Sequence, residues 1–195
     1  MAPAVKKFLN SLKEQNVDQT IIEHILKGYE DIKDSSKKPR KADFFINAMK
    51  VMDELLDYET RYKVRDSCAC CLGGWREKAV RKVEKEYSNR SIQEIITALN
   101  QIEHMGYPIL NDDGTITAGI GGIDGCGCAC ATFTGAGVEQ PDVPVSSTYC
   151  LCCAGHFRYY YQIALNKKLR TKEILSTSLE SCGKSPCRFV YEIIK

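Results

Sequence analysis

No run of apolar residues in this chain approaches the roughly 20 that span a bilayer, so no membrane-crossing helix is expected. The first residues, MAPAVKKFLNSLKEQ, lack the long apolar core of a secretory signal. A charge excess is missing as well. The 27 basic and 25 acidic residues leave a net charge of +2, which gives no electrostatic footing for nucleic acid or an anionic membrane. Nor is there a phosphate-binding loop, because no Lys-Ser/Thr follows the glycines in the required position. These absences make the cytoplasm the expected compartment, where thiols stay reduced.

Cysteine is what the chain has in quantity. Eleven occur among 195 residues, and the 44% hydrophobic content is ample for a core without them. Dense cysteine in a reducing compartment points to metal or redox chemistry more than to structural disulfides, and an odd count argues against complete pairing. Nine of the eleven fall into three triplets. A nine-residue phrase is written twice, as CACCLGGWR from Cys68 and as CLCCAGHFR from Cys150. Cys68, Cys70, Cys71, Gly73, Trp75 and Arg76 in the first match Cys150, Cys152, Cys153, Gly155, Phe157 and Arg158 in the second. Between them lies GCGCACATFTG with Cys126, Cys128 and Cys130.

C-x-C and C-C spacings bring thiolates to one ion or two adjacent ions without a large loop. Thiolates are soft and select zinc, Cu(I) or iron–sulfur clusters over calcium or magnesium. Nine sulfurs exceed the four of a mononuclear zinc site, and neither a Cys2His2 pattern nor a ferredoxin spacing is present. An iron–sulfur cluster or zinc is therefore the expected cofactor, held by Cys68, Cys70, Cys71, Cys126, Cys128, Cys130, Cys150, Cys152 and Cys153. Both CxCC copies are expected just before a helix, where free N–H groups favour thiolates and lower a thiol pKa. Gly73 and Gly155 would let backbone approach the bound centre, and Arg76 and Arg158 would balance its charge. An alternative is enzymatic: a low-pKa Cys153 with His156 three residues on, attacking a thiazoline, amide or thioester carbon of a small molecule. A third possibility is zinc that knits the chain together for partner binding.

Apolar periodicity predicts helices over 4–33, broken near Asn16, Val17 and Asp18, and again over 43–58, with a polar loop around Pro39 between them. The stripe of the second comprises Phe44, Phe45, Ala48, Val51, Met52, Leu55 and Leu56. Helices should also follow Gly73 and Ser91, the latter opened by a Ser91–Glu94 capping box and stopped by Gly106, with His104 in its last turn. Asp113-Gly114 signals a hairpin, and the segment after Cys153 another helix. Alternation then predicts strands over 172–181 and from Cys187 onward, joined by a turn at Gly183 to Pro186. The sum is an α+β fold, with a helical N-terminal segment at 1–60 and a cysteine-rich α+β domain at 61–195, joined as one unit. Trp75, Phe133, Phe157 and tyrosines 159–161 are candidate walls of a small-molecule pocket. A redox partner or a homodimer would suit such a protein.

The end of the chain carries a family likeness. C-x-C-C-A-G-x-aromatic, a helix, an Asn-Lys-Lys turn, a strand and ESCGKSPCRFVYEI resemble the close of 4-vinyl-reductase-like domains, and the tail of L-2-amino-thiazoline-4-carboxylic acid hydrolase-like proteins is similar. The match covers about residues 149–194 and is carried by Gly155, Gly183, Cys187 and Phe189. It implies an antiparallel α+β domain related to transport-particle subunits. Such domains bind small, often apolar molecules, and some hold a metal through cysteines. The first CxCC and the CxCxC loop have no counterpart in that pattern.

Overall fold

Helix α1 (Ala4–Glu14) buries Val5, Phe8 and Leu12 along one face, and α2 (Gln19–Leu26) starts where Asp18 accepts a hydrogen bond from Thr20 N. These belong to a computed structural model that describes residues 4–120, 128, 130–133 and 143–194. The next helix, α3 (Lys38–Leu55), opens earlier than the sequence predicts, with Pro39 in its first turn. Proline suits that position because the N–H it lacks would have no helical partner, and its fixed φ already fits the helix. Phe44, Phe45, Ala48, Met49 and Met52 are buried, while Leu55, expected in the apolar stripe, is exposed.

Residues 58–67 form a helix that periodicity does not reveal. In α4 (Tyr58–Ser67), capped by Asp57, the buried residues are Tyr62, Val64 and Arg65. With a charged residue on the inner face and a polar remainder, no apolar stripe shows in the sequence. Residue 60 falls inside this helix, so no boundary is marked there. Instead Ser11 Oγ donates to Val64 O (2.9 Å), and one apolar core runs from Val5 in α1 to Tyr191 near the C-terminus.

After α5 (Gly74–Tyr87), the predicted capping box opens α6 (Ile92–Leu99): Ser91 N donates to Glu94 Oε2 at 2.9 Å, and Glu94 N to Ser91 Oγ at 3.3 Å. The helix ends at Leu99, so His104 lies beyond it, in a left-handed conformation (φ 59°). Gly106 (φ 78°) has a packing reason: a Cβ there would come within 2.8 Å of Phe157 Cε1. The Asp113-Gly114 hairpin joins β1 (Ile109–Leu110) to β2 (Ile116–Ile120). The second cysteine phrase leads into α7 (Leu151–Leu165), which Asn166 ends in a left-handed cap. The strand expected at 172–181 lies earlier, at β3 (Leu169–Ser176), and β4 (Cys187–Ile193) follows. The turn starts at Thr177, where the hydroxyl takes the Glu180 N–H (3.0 Å) and draws the chain out of the strand.

All four strands pair antiparallel, in the order β1-β2-β4-β3, confirming an α+β fold. The α7 helix packs on α4, α5 and β3, and Tyr191 Oη donates to Ala154 O at 3.0 Å. Among the described residues, no helix is long and apolar enough to cross a membrane.

Candidate functional site

The two cysteine phrases meet where α4 ends and α7 begins. In the first, Cys68 is the C-cap of α4 and is buried, with its thiol donating to Val64 O (3.2 Å). Cys70 and Cys71 lie in the exposed loop that follows, Cys71 with φ 58°. In the second, Cys150 ends a single 3-10 turn (Ser147–Cys150), and Cys152 and Cys153 stand in the first turn of α7. From the middle triplet, Cys128 is buried and Cys130 half-buried. Cys130 N donates to Cys128 Sγ (3.4 Å), and Cys130 Sγ shares a hydrogen bond with Tyr149 Oη (3.1 Å). Cys126 lies outside the described residues, as does most of the glycine-rich stretch around it.

These sulfurs are within electrostatic reach of one another. Burial, then Cys152, Cys71 and Cys130, push the Cys70 thiol up to about 12. Cys128 is pushed up to about 12 by burial, with Cys130, Cys187 and Cys152 adding to it. Burial lifts Cys152 to about 11, against the pull of Arg65. Cys150 and Cys153 are driven well above the ordinary thiol range, mainly by burial. Cys187, buried in β4, accepts from Ser178 N (3.4 Å) and lies within electrostatic reach of Cys150. Among the described residues no three Cys, His, Asp or Glu side chains stand in an arrangement that would already coordinate an ion.

Arg65 is buried on the inner face of α4, one turn before Cys68. It is 2% exposed, with its guanidinium carbon 5.5 Å from the Phe8 ring centre, 5.6 Å from Phe45 and 4.6 Å from Tyr149. Nη2 donates to Tyr149 O (2.9 Å), and Nε finds no partner among the described residues. Burial opposes its charge, yet Cys152, Cys68, Tyr149 and Cys130 more than offset that, so the guanidinium stays charged. The repeated phrase points to Arg76 and Arg158 for this work. Arg158 instead grips Asp66 of α4 through Nε (2.9 Å) and Nη2 (2.6 Å), while Arg76 lies over the Trp75 ring. The available signal was position: Arg65 precedes Cys68 by three residues, about one helical turn, and so projects toward the same end of α4.

The glycines also have structural occupations. A Cβ on Gly155 would meet Asp66 Oδ1 at 2.9 Å and Asp66 O at 3.0 Å, so this glycine lets α7 lie against α4. Gly73, at φ 83°, is the N-cap of α5, and its carbonyl accepts from Tyr160 Oη (3.2 Å). His156 is buried, and its Nδ1 is 2.7 Å from Cys70 O. A carbonyl only accepts, so Nδ1 carries the proton and Nε2 the lone pair. The expected lowering of a helix-start thiol fails at Cys153. Desolvation outweighs the dipole and raises it, leaving a poor nucleophile.

The aromatic residues expected around one pocket point apart. Trp75 is 53% exposed, whereas Phe133, Phe157, Tyr160 and Tyr161 are core. Tyr159 donates to Glu77 (2.8 Å), Tyr160 to Cys71 O (2.9 Å) and Tyr161 to Met105 O. Two open hollows among the described residues, one along α6 and one in the α5–α7 groove, include no cysteine. Comparison with known proteins found no matching family model, no matching curated protein and no matching solved structure.

Proposed function

We propose that the chain is a cysteine-rich metal-binding protein whose thiolates hold an iron–sulfur cluster or zinc. The ligands come from Cys68, Cys70 and Cys71, from Cys126, Cys128 and Cys130, and from Cys150, Cys152 and Cys153. One observation carries the reading: three distant cysteine segments come together, with His156 and Tyr160 of α7 bonded to Cys70 O and Cys71 O, Cys130 Sγ against Tyr149 Oη, and Cys152 within electrostatic reach of Cys68, Cys70, Cys128 and Cys130. Plain packing does not require this, since a small apolar residue would fill the same space without a polar S–H. Soft donors of this number suit a soft or borderline metal, and binding displaces the thiol protons as the sulfurs draw in. The donor set fits such a centre, and when bound it would supply electron transfer or a structural tie. His156, donating through Nδ1 to Cys70 O, fixes the backbone that carries two of the ligands.

The likeness of residues 149–194 to vinyl-reductase-like domains supports the same reading, because some members hold metal through cysteines. A reducing cytoplasm is the matching compartment. The Cys153–His156 nucleophile receives no comparable support, since that thiol is raised and His156 is engaged at Cys70. Anaerobic purification followed by visible absorption and assays of iron, sulfide, zinc and copper tests the proposal. Iron with sulfide, or stoichiometric zinc, is the expected result, and Cys70→Ser and Cys152→Ser should each lower metal content. A protein that is metal-free as isolated and takes up none on reconstitution would refute it.

A further inference from the structure

We infer that the centre bound in the sulfur basin carries excess negative charge, and that Arg65 is its resident counter-charge, a positioning residue inside the site. The inference rests on the metal-binding reading and specifies its chemistry. Arg65 is almost fully buried, has no carboxylate within ion-pair distance among the described residues, and leaves Nε without a partner. Several other arginines take acidic partners, Arg158 with Asp66, Arg61 with Asp53 and Arg170 with Glu59, and Arg76, which has none among the described residues, is less buried than Arg65. A guanidinium in a dry interior needs an opposing charge, and aromatic faces offset only part of that need. Among the described residues, the acidic groups placed beside it are weak ones: the Tyr149 phenol, whose ring lies 4.6 Å away and whose hydroxyl meets Cys130 Sγ at 3.1 Å, and the thiols of Cys68, Cys130 and Cys152.

The bookkeeping of charge separates two kinds of centre. A divalent ion with two thiolates is neutral and leaves Arg65 unbalanced. An ion with four obeys M2+ + 4 RSH → [M(SR)4]2− + 4 H+. Each S–H bond breaks heterolytically, its electron pair becomes the sulfur–metal bond, its proton goes to buffer, and nothing is oxidised. The product is an anion that a buried cation stabilises, and bridged centres with three thiolates per ion behave alike.

Native mass spectrometry of the full chain loaded anaerobically with Zn(II) alone counts the displaced protons directly. The expected loss is roughly three or four protons per ion. Two per ion means a neutral centre and overturns the inference while leaving metal binding intact; no uptake of zinc, and none in the protein as isolated, overturns both. A second measurement uses Arg65→Lys and Arg65→Met, with Co(II) affinity read from the thiolate-to-cobalt absorption band. Loss of a supporting partner should weaken the Met variant by about 10- to 100-fold, with Lys restoring most of it. Equal weakening in both variants assigns Arg65 to packing, and no weakening in either assigns it to nothing at the metal; each result overturns the inference. The proton count on the unaltered protein decides the matter even where a variant fails to fold.

Discussion

Residues 68–76 and 150–158 share five identical residues and an aromatic at matching positions, yet the three cysteines of the first lie outside helix, with α5 starting only at Gly74, whereas the second is mostly helix. The cause lies in the residues that differ. The first copy places Gly73 and Gly74 together, at φ 83° and 69°, and follows a helix that has just ended. In the second, His156 stands where Gly74 would be, and a single glycine inside a helix is tolerable at about 1 kcal/mol. Consequently Cys70 and Cys71 face outward while Cys150 and Cys152 are buried. A repeated phrase here means repeated chemistry on unlike backbones: a solvent-facing set of sulfurs meets a fixed, interior one.

The aromatic position should show the widest gap between the copies. Phe157 is 2% exposed and stacks on Tyr161 and Phe189. Phe157→Ala should therefore cost about 3–5 kcal/mol of stability. Trp75→Ala, at a residue that is 53% exposed, should stay within about 0.5 kcal/mol. Denaturant unfolding of the metal-free variants measures both, and similar losses would break the contrast.

The arginines come next. Arg158 makes a two-pronged, largely buried contact with Asp66, so Arg158→Met should cost about 2 kcal/mol. Arg76 has no such partner among the described residues, and Arg76→Met should cost less than about 1 kcal/mol. A double-mutant cycle with Asp66→Asn sharpens the point: the Arg158 and Asp66 losses should be strongly non-additive, whereas those of Arg76 and Asp66 should add.

Thiol access should follow the same division. In reduced, metal-free protein, alkylation followed by peptide mapping should find the exposed Cys71 modified at least about tenfold faster than Cys150 and Cys152, which need local opening. Uniform rates across both copies would mean that the basin is open throughout.

Much of the fold was legible because local rules act locally. The Ser91–Glu94 box, the Asp113-Gly114 hairpin and the terminal strand all formed where their residues said. What escaped depended on tertiary context. Helix α4 hides its inner face behind Arg65, and Pro39 reads as a breaker until it is seen to start a helix. At the site, nine sulfurs were visible as a pattern, but the buried cation was not. An arginine reads as solvent-facing unless the aromatic rings from α1, α3 and Tyr149 are known to enclose it. In the sequence Cys187 is only the first residue of a strand, and the sheet brings it within electrostatic reach of Cys150 and Cys128.

The smallest effect concerns the tie between the copies. His156 of the second holds Cys70 O of the first, and burial lowers its pKa below the ordinary 6.5. The Cys70 hydrogen bond opposes that lowering, and the charge of Arg76 reinforces it. An unfolded chain thus takes up the proton near pH 6.5 while the folded one does not. Stability is full above that pH and falls as pH drops from 6.5 toward the folded value. One group exchanges less than a whole proton, so the slope stays below about 1.4 kcal/mol per pH unit. Unfolding of metal-free protein between pH 7.5 and pH 5, set beside His156→Asn, isolates this contribution: Asn keeps a donor for Cys70 O but cannot titrate, so its curve should be flatter through the window. Identical slopes would mean that the imidazole is not shielded from water, and that the contact joining loop to helix is looser than its 2.7 Å suggests.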